Sequence, residues 1–344
     1  MSFLGALAAI AWLLTATTLA CAQGGAPSAA PASEWKLSTA LGPAYPQGKA
    51  GERWAALIRE RSAGRFAVQH YPGATLFQRD ALREFAALRE GSIAFAVGST
   101  LDWSPYVDQL NLVALPWLIP SERALEALLA SAVSAELAAR LESEDVVVVA
   151  WASNGFREIA SKRPLRAPAD FAGLRVRTPG LALLDETLAA LGASPVRMNG
   201  VDARRAALAG SLDAEETTTN AFRTSRADAA GFTHLQLWGA HADALVFAVN
   251  RRAWNAWSAE DRELVRQAAR DAAQDALALR LKLGGDAALG EAGRQGATVT
   301  RLTAAGKDAF RHATREVYAK WAAVIGGDLV HRAEAAIAGA AAGR

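Results

Sequence analysis

The chain has 344 residues, 51% of them hydrophobic and 21% charged, which is enough apolar material for two compact lobes rather than one small domain. Its 37 basic and 35 acidic residues leave a formal net charge of +2, and no Lys/Arg run interleaved with aromatics occurs, which argues against a nucleic-acid partner. Cys21 is the only cysteine, so a chain processed beyond it has no disulfide, thiolate nucleophile or cysteine metal site.

No charged side chain precedes Glu34, and Phe3 to Leu14 is an apolar run followed by the small residues of TATTLACAQGG. This reads as a secretory leader over residues 1–22, too short to span a bilayer, with a small-x-small cleavage site at Ala20-Cys21-Ala22 before Gln23. TLAC also approximates a lipidation signal at Cys21, but Thr18 stands where that signal wants an aliphatic, so ordinary cleavage and a periplasmic product are expected. QGGAPSAAPAS, residues 23–33, reads as a flexible tether. The body then alternates strand and helix signals, which predicts an α/β class with largely parallel sheets. WKLSTAL is a strand leading into the helix GKAGERWAALIRERSAG, whose Trp54, Leu57 and Ile58 recur at helical spacing. The strand RFAVQHYP, the helix QRDALREFAALREG and the buried strand IAFAVGS follow. Farther on, EDVVVVAWAS and LRVRTP read as strands, GLALLDETLAALGA and DARRAALAGS as helices, and HADALVFAVN as a strand. SAEDRELVRQAARDAAQDALALRLKLG is a long helix with Ser258 at its N-cap and Asp261 closing the capping box.

Motifs of catalysis are scarce. There is no G-x-S-x-G elbow, P-loop or H-E-x-x-H, and GGDAALG lacks the glycine spacing of a dinucleotide loop. His70, His234, His241, His312 and His331 never fall at i, i+4 on a helix, which argues against a zinc or iron site. Glu215 and Glu216 are adjacent in an extended segment, so they face opposite ways and do not make an acid–base pair by themselves. GLRVRTP sets Arg175 and Arg177 on one face of an otherwise buried-looking strand. Buried guanidinium needs an anion, whereas a solvated edge strand would need none.

WASNGFREIASKRPLRAPADFAGLRVRTPG, followed by LGASPVRMNGVDARRAALAGSLDAEETTTN, resembles the central segment of the TRAP-transporter extracytoplasmic solute-binding proteins, the C4-dicarboxylate-type periplasmic binding proteins. GRFAVQHYPGATLFQRDALREFAALREGSIAFAVGS is similar to that family's first strand-helix-strand block, LNLVALPWLI to its "ALP" segment, and LVFAVNRRAWNAWSAEDRELVRQAARDAA to the segment that returns to the first lobe and starts the long helix. The resemblance covers most of the chain from Glu34 to the late helices. It implies an α/β, two-lobed clamp of the type II-like periplasmic binding proteins, with a long helix spanning both lobes. Lobe 1 would comprise residues 34–154 and 242–282, and lobe 2 residues 155–241 and 283–344. The implied role is that of a monomeric, non-catalytic protein without cofactor, which captures a small-molecule carboxylate in the periplasm and delivers it to the integral membrane subunits of a TRAP transporter. A ligand-presenting accessory of a membrane sensor is the alternative, and a periplasmic enzyme stands further behind.

By the same resemblance, Arg177 matches the arginine that grips the ligand carboxylate, a task for which the planar fork of guanidinium suits two carboxylate oxygens. Arg175 is then expected to reach water or a neighbouring acid. Arg157, in GFR, supports the carboxylate or a second polar group, or else pairs between the lobes. Thr217 stands in LDAEETT where the family reads Asn, offering one short hydroxyl instead of an amide, and Glu215 and Glu216 brace the arginines. Gly200 stands where some members carry an aromatic, which leaves volume that a bulkier acid could fill against Trp103 of STLDWSP, unless Trp103 is core. With a cleft expected to hold surplus positive charge from Arg177 and Arg157, the expected ligand is a monocarboxylate with an apolar or aromatic body, such as a 2-oxo or 2-hydroxy acid. Small dicarboxylates come second.

Overall fold

The computed structural model describes residues 34–294 and 296–342; the expected leader, Cys21 and the tether lie outside the described residues. The strands are β1 (Trp35–Thr39), β2 (Val68–Pro72), β3 (Phe95–Ser99), β4 (Val146–Ser161), β5 (Arg175–Thr178), β6 (Ser194–Arg197), β7 (Ala214–Thr218), β8 (His234–Asn250) and β9 (Thr298–Arg301). Helices α1 (Pro46–Arg61), α2 (Arg83–Glu90), α3 (Thr100–Trp103), α4 (Asn111–Ala114), α5 (Glu122–Leu129) and α6 (Ala132–Ser143) precede β4. Helices α7 (Ala182–Ala190), α8 (Gly200–Leu208) and α9 (Thr219–Thr224) lie between β5 and β8. After β8 come α10 (Arg251–Ala256), α11 (Ala259–Gly284), α12 (Asp286–Arg294), α13 (Ala304–Ala313), α14 (Arg315–Ile325) and α15 (Gly327–Ala342).

The strands join in one sheet of order β2-β1-β3-β8-β4-β7-β5-β6, with β9 added beside β8. Pairing is parallel within the β1–β3 group and within the β5–β7 group, as strands joined by helical crossovers require. The long antiparallel pair β4 and β8 joins these halves, so the sheet is mixed and the two lobes share it. Three register shifts interrupt the β4–β8 pair, between Val148 and Ala150, Ser153 and Gly155, and Arg157 and Ile159; each bulge bends and twists its strand. Gly155, opposite Asp243, takes φ +84°, a conformation that glycine alone adopts cheaply.

Buried Ala268, Ala269, Ala272, Ala273 and Ala276 give α11 a smooth stripe that lets it lie close on α1 and β4. Ser258 caps it as the sequence predicts, its Oγ accepting the Asp261 amide at 3.1 Å, but the Asp261 carboxylate accepts the Ser258 hydroxyl rather than the backbone N–H that would close the expected capping box. At the far end, Arg280 lies over Gly155 and pairs with Glu122 at 2.5 Å, while Gly284 approaches Asn220 beyond the crossing. Helices α14 and α15, which the sequence reading groups with the second lobe, pack on α4 and α5, and α14 also packs on α7, where Lys320 and Trp321 bind Glu186. Their Val317, Trp321, Ile325, Leu329 and Ala333 join the same core as Leu112, Leu125 and Leu128.

Candidate functional site

Strand direction decides where the chemistry gathers. Ser99, the last residue of β3, lies opposite Leu245 in β8, and Thr218, the last of β7, lies opposite Arg157 in β4. The carboxyl ends of both parallel groups therefore run toward the β4–β8 crossing from opposite sides. Ligands of open α/β sheets bind outside such ends.

Arg157 shares a sheet face with Ile159, which pairs with Glu216, so Arg157 and Glu216 are diagonal neighbours. They form a two-pronged ion pair: Nη2 donates to Oε2 at 2.8 Å and Nε to Oε1. Glu216 is fully buried. Burial opposes the Arg157 charge, but Glu216, Asp243 and Asp102 raise its affinity for the proton above the ordinary value. The Arg157 fork is thus committed to a protein carboxylate.

Arg177 pairs in register with Glu215, two positions before Thr217, so these three residues share the opposite face of β7 from Glu216. Its Nε donates to the Met198 carbonyl at 2.9 Å and Nη1 to the Glu216 carbonyl at 3.4 Å; Nη2 has no hydrogen-bond partner among the described residues. Burial holds its guanidinium below the usual range, against the pull of Glu216 and Glu215. Arg175 turns outward and binds Asp213 through Nε and Nη2 at 2.9 and 3.0 Å. The two arginines of GLRVRTP therefore have different tasks: one closes a surface ion pair, the other keeps part of its fork open at the strand end.

Thr217 is buried, with its hydroxyl donating to the Thr218 carbonyl at 3.4 Å. Gly200 begins α8, and a Cβ there would meet nothing within 4 Å. Trp103 is fully buried, its ring 5.2 Å from that of Phe85. Gly98 makes this possible, because a Cβ on that residue would come within 2.0 Å of the indole. The structure thus places Trp103 in the core beneath α3 rather than beside Gly200.

Sequence reasoning passed over an acidic group on the other side. Asp243 accepts the hydroxyls of Ser99 and Thr100 at 2.8 Å, the Leu101 amide at 3.3 Å and the Asn154 amide nitrogen at 2.7 Å. Asp102, one residue farther on, is pushed up to about 7, first by burial and then by Asp243, against Arg157 and Arg177. Glu215 is likewise pushed up to about 7 by burial and Glu216, and Tyr45, before α1, feels the Glu215 charge. His241, which pairs with Arg157 across the strands, hydrogen-bonds the Ala114 carbonyl at 2.6 Å through Nδ1 while burial holds it down to about 4. Among the described residues, Asp243, Glu216, Asp102 and Glu215 act on the charges of Arg157 and Arg177, one of which is already paired, so the expected surplus of positive charge is not found there. A signal existed in the sequence, since Asp102 of STLDW comes three residues after Ser99, the last residue of a buried strand.

Residues 37–324 match the model of the bacterial extracellular solute-binding proteins, family 7. A TRAP periplasmic solute-binding protein from Ralstonia eutropha, solved with bound (S)-2-hydroxy-2-methyl-3-oxobutanoate, is 44% identical; the match covers 89% of this chain and 98% of that one at a TM-score of 0.86. A TRAP periplasmic solute-binding protein from Shewanella oneidensis with bound succinate shares the fold at 19% identity, covering 90% of this chain and all of that one, with a TM-score of 0.82. The C4-dicarboxylate-binding periplasmic protein of Rhodobacter capsulatus is 27% identical over 53% of this chain and 54% of its own length.

Proposed function

Because the chain belongs to the bacterial extracellular solute-binding proteins of family 7, we propose that it serves a TRAP transporter in the periplasm, capturing a small branched 2-hydroxy or 2-oxo monocarboxylate and delivering it to the integral membrane subunits. The observation that carries this reading is the half-open fork of Arg177 at the converging strand ends, a donor without a carboxylate of its own. A ligand carboxylate there gains charge-assisted hydrogen bonds of about 1.5–3 kcal/mol each. Thr217 and the open volume at Gly200 would flank the body of the ligand, whereas Arg157 would act through Glu216 as a fixed wall. The bound 2-hydroxy-2-methyl-3-oxobutanoate of the 44% identical Ralstonia eutropha protein supports the choice of a hydroxylated monocarboxylate.

In this reading the lobes are residues 34–154 with 242–282, joined by the returning helices α14 and α15, and residues 155–241 with the segment up to α13. They close about Gly155 and α11, excluding water from the salt bridge. The role is capture and release, without turnover. A thermal-shift panel of organic acids tests it: a ligand at a hundred times its dissociation constant adds about 2.7 kcal/mol of stability. Branched 2-hydroxy and 2-oxo monocarboxylates are expected to raise the melting temperature more than succinate or malate; the reverse order would refute the assignment.

A further inference from the structure

The carboxylate of Asp102 has no hydrogen bond or ion pair among the described residues, although the side chain is only partly exposed. Every acid near it is engaged: Asp243 by two hydroxyls and two N–H donors, Glu216 by Arg157, and Glu84, buried in α2, by the Ser38 hydroxyl at 2.7 Å. Asp102 sits in α3 directly after β3, and it interacts electrostatically with Arg157, Arg177, Asp243 and Glu216. It is therefore a carboxylate without a protein partner among the described residues, on the element that follows the first parallel group, whose charge is felt together with that of the half-open arginine on the second.

We infer that Asp102 is the specificity-determining residue of the cleft, accepting a hydroxyl from the body of a monocarboxylate whose carboxylate lies on Arg177 and repelling a second carboxylate at that end. This rests on the proposed capture of an organic acid. A hydroxyl is the complement that a lone carboxylate lacks, whereas a dicarboxylate would set like charges together at partly desolvated distance, among Asp102, Asp243 and Glu216. Selection against the wrong ligand by an uncompensated charge is a common route to specificity. The selection is expected to depend on pH. Asp102 loses its proton as pH rises through about 7, so exclusion of dianions should be strong at pH 8 and weaker at pH 6. Glu215 titrates in the same range, and Glu84 near 8; Arg157, Arg177, Asp243 and Glu216 are the other charges that Asp102 faces.

Three acids of one skeleton separate these features: 2-hydroxy-2-methylbutanoate, 2-methylbutanoate without the hydroxyl, and 2-methylmalate with a second carboxylate. Calorimetric titration of the wild type at pH 6 and pH 8 is expected to rank the hydroxy monocarboxylate first, with its advantage over 2-methylmalate at least tenfold at pH 8 and smaller at pH 6. In Asp102→Asn the advantage over 2-methylmalate should shrink at least tenfold at pH 8 and lose most of its pH dependence, since the remaining slope belongs to Glu215, Glu84 and the diacid itself. Asp102→Glu, which keeps the charge, should keep the pH-dependent exclusion. Wild-type selectivity and pH profile preserved in Asp102→Asn would overturn the inference while leaving the proposed function standing. A wild type that binds none of the three acids at either pH would overturn both.

Discussion

At the scale of single residues, the two arginines that the sequence singles out as ligand contacts differ in what already holds them. Arg157 is bound through two prongs to a fully buried Glu216, and Arg177 is bound only to carbonyl oxygens. Removing one member of a buried ion pair strands the other charge, at a cost of about 3–5 kcal/mol. Arg157→Gln is accordingly expected to lower the unfolding free energy by about that amount in denaturant titration, and Glu216→Gln added to it to recover a large part. A single substitution that leaves stability intact would mean that Glu216 is held by other donors, and the case for Arg157 as a fixed wall would fail. The chemistry of the pair was half legible in the sequence. GFR and the adjacent glutamates were visible, but their contact depends on the β4–β7 register across 59 positions, which no local pattern encodes.

Single elements show the same division. Helix α11, its Ser258 cap and the strands around GLRVRTP follow from periodicity and capping chemistry. GFREIAS was not readable as the second half of EDVVVVAWAS, because the 16-residue β4 passes through a positive-φ glycine and bulges that break the alternation. The sequence left Trp103 open between ligand and core, and the core position turns on a missing side chain in the neighbouring strand. Gly98 in β3 leaves room for the indole, and α3 with Asp102 rides on that contact. Gly98→Ala is expected to cost about 1–3 kcal/mol by overpacking and to weaken ligand binding by displacing α3. Unchanged melting temperature and affinity would show that the indole can move aside freely.

Over the whole molecule, burial shifts acids and histidines in opposite directions, and folding stability should record both. Burial pushes Glu84 and Glu158 up to about 8 and, with neighbouring acids, Asp102 and Glu215 up to about 7. An acid raised above its unfolded value holds its proton more tightly in the fold; its stabilisation is complete below that unfolded value and is lost as pH rises through 7 to 8. His70 and His241, held down to about 4 by burial, contribute above 6.5 and lose that contribution as pH falls toward 4. The unliganded protein is expected to melt at progressively lower temperature from pH 6.5 to 8, where only the raised acids titrate, and the four acids outweigh the two histidines below that range as well; Glu84→Gln should flatten the decline. A melting temperature that rises across that interval would contradict the buried-acid account. The convergence of both halves of the sheet on one available guanidinium is the centre of the functional reading, and it is tested most directly by calorimetric titration of wild type and Arg177→Lys with 2-hydroxy-2-methyl-3-oxobutanoate. The account predicts at least tenfold weaker binding by the lysine variant, with the unliganded melting temperature nearly unchanged; equal affinity in the two proteins would contradict it.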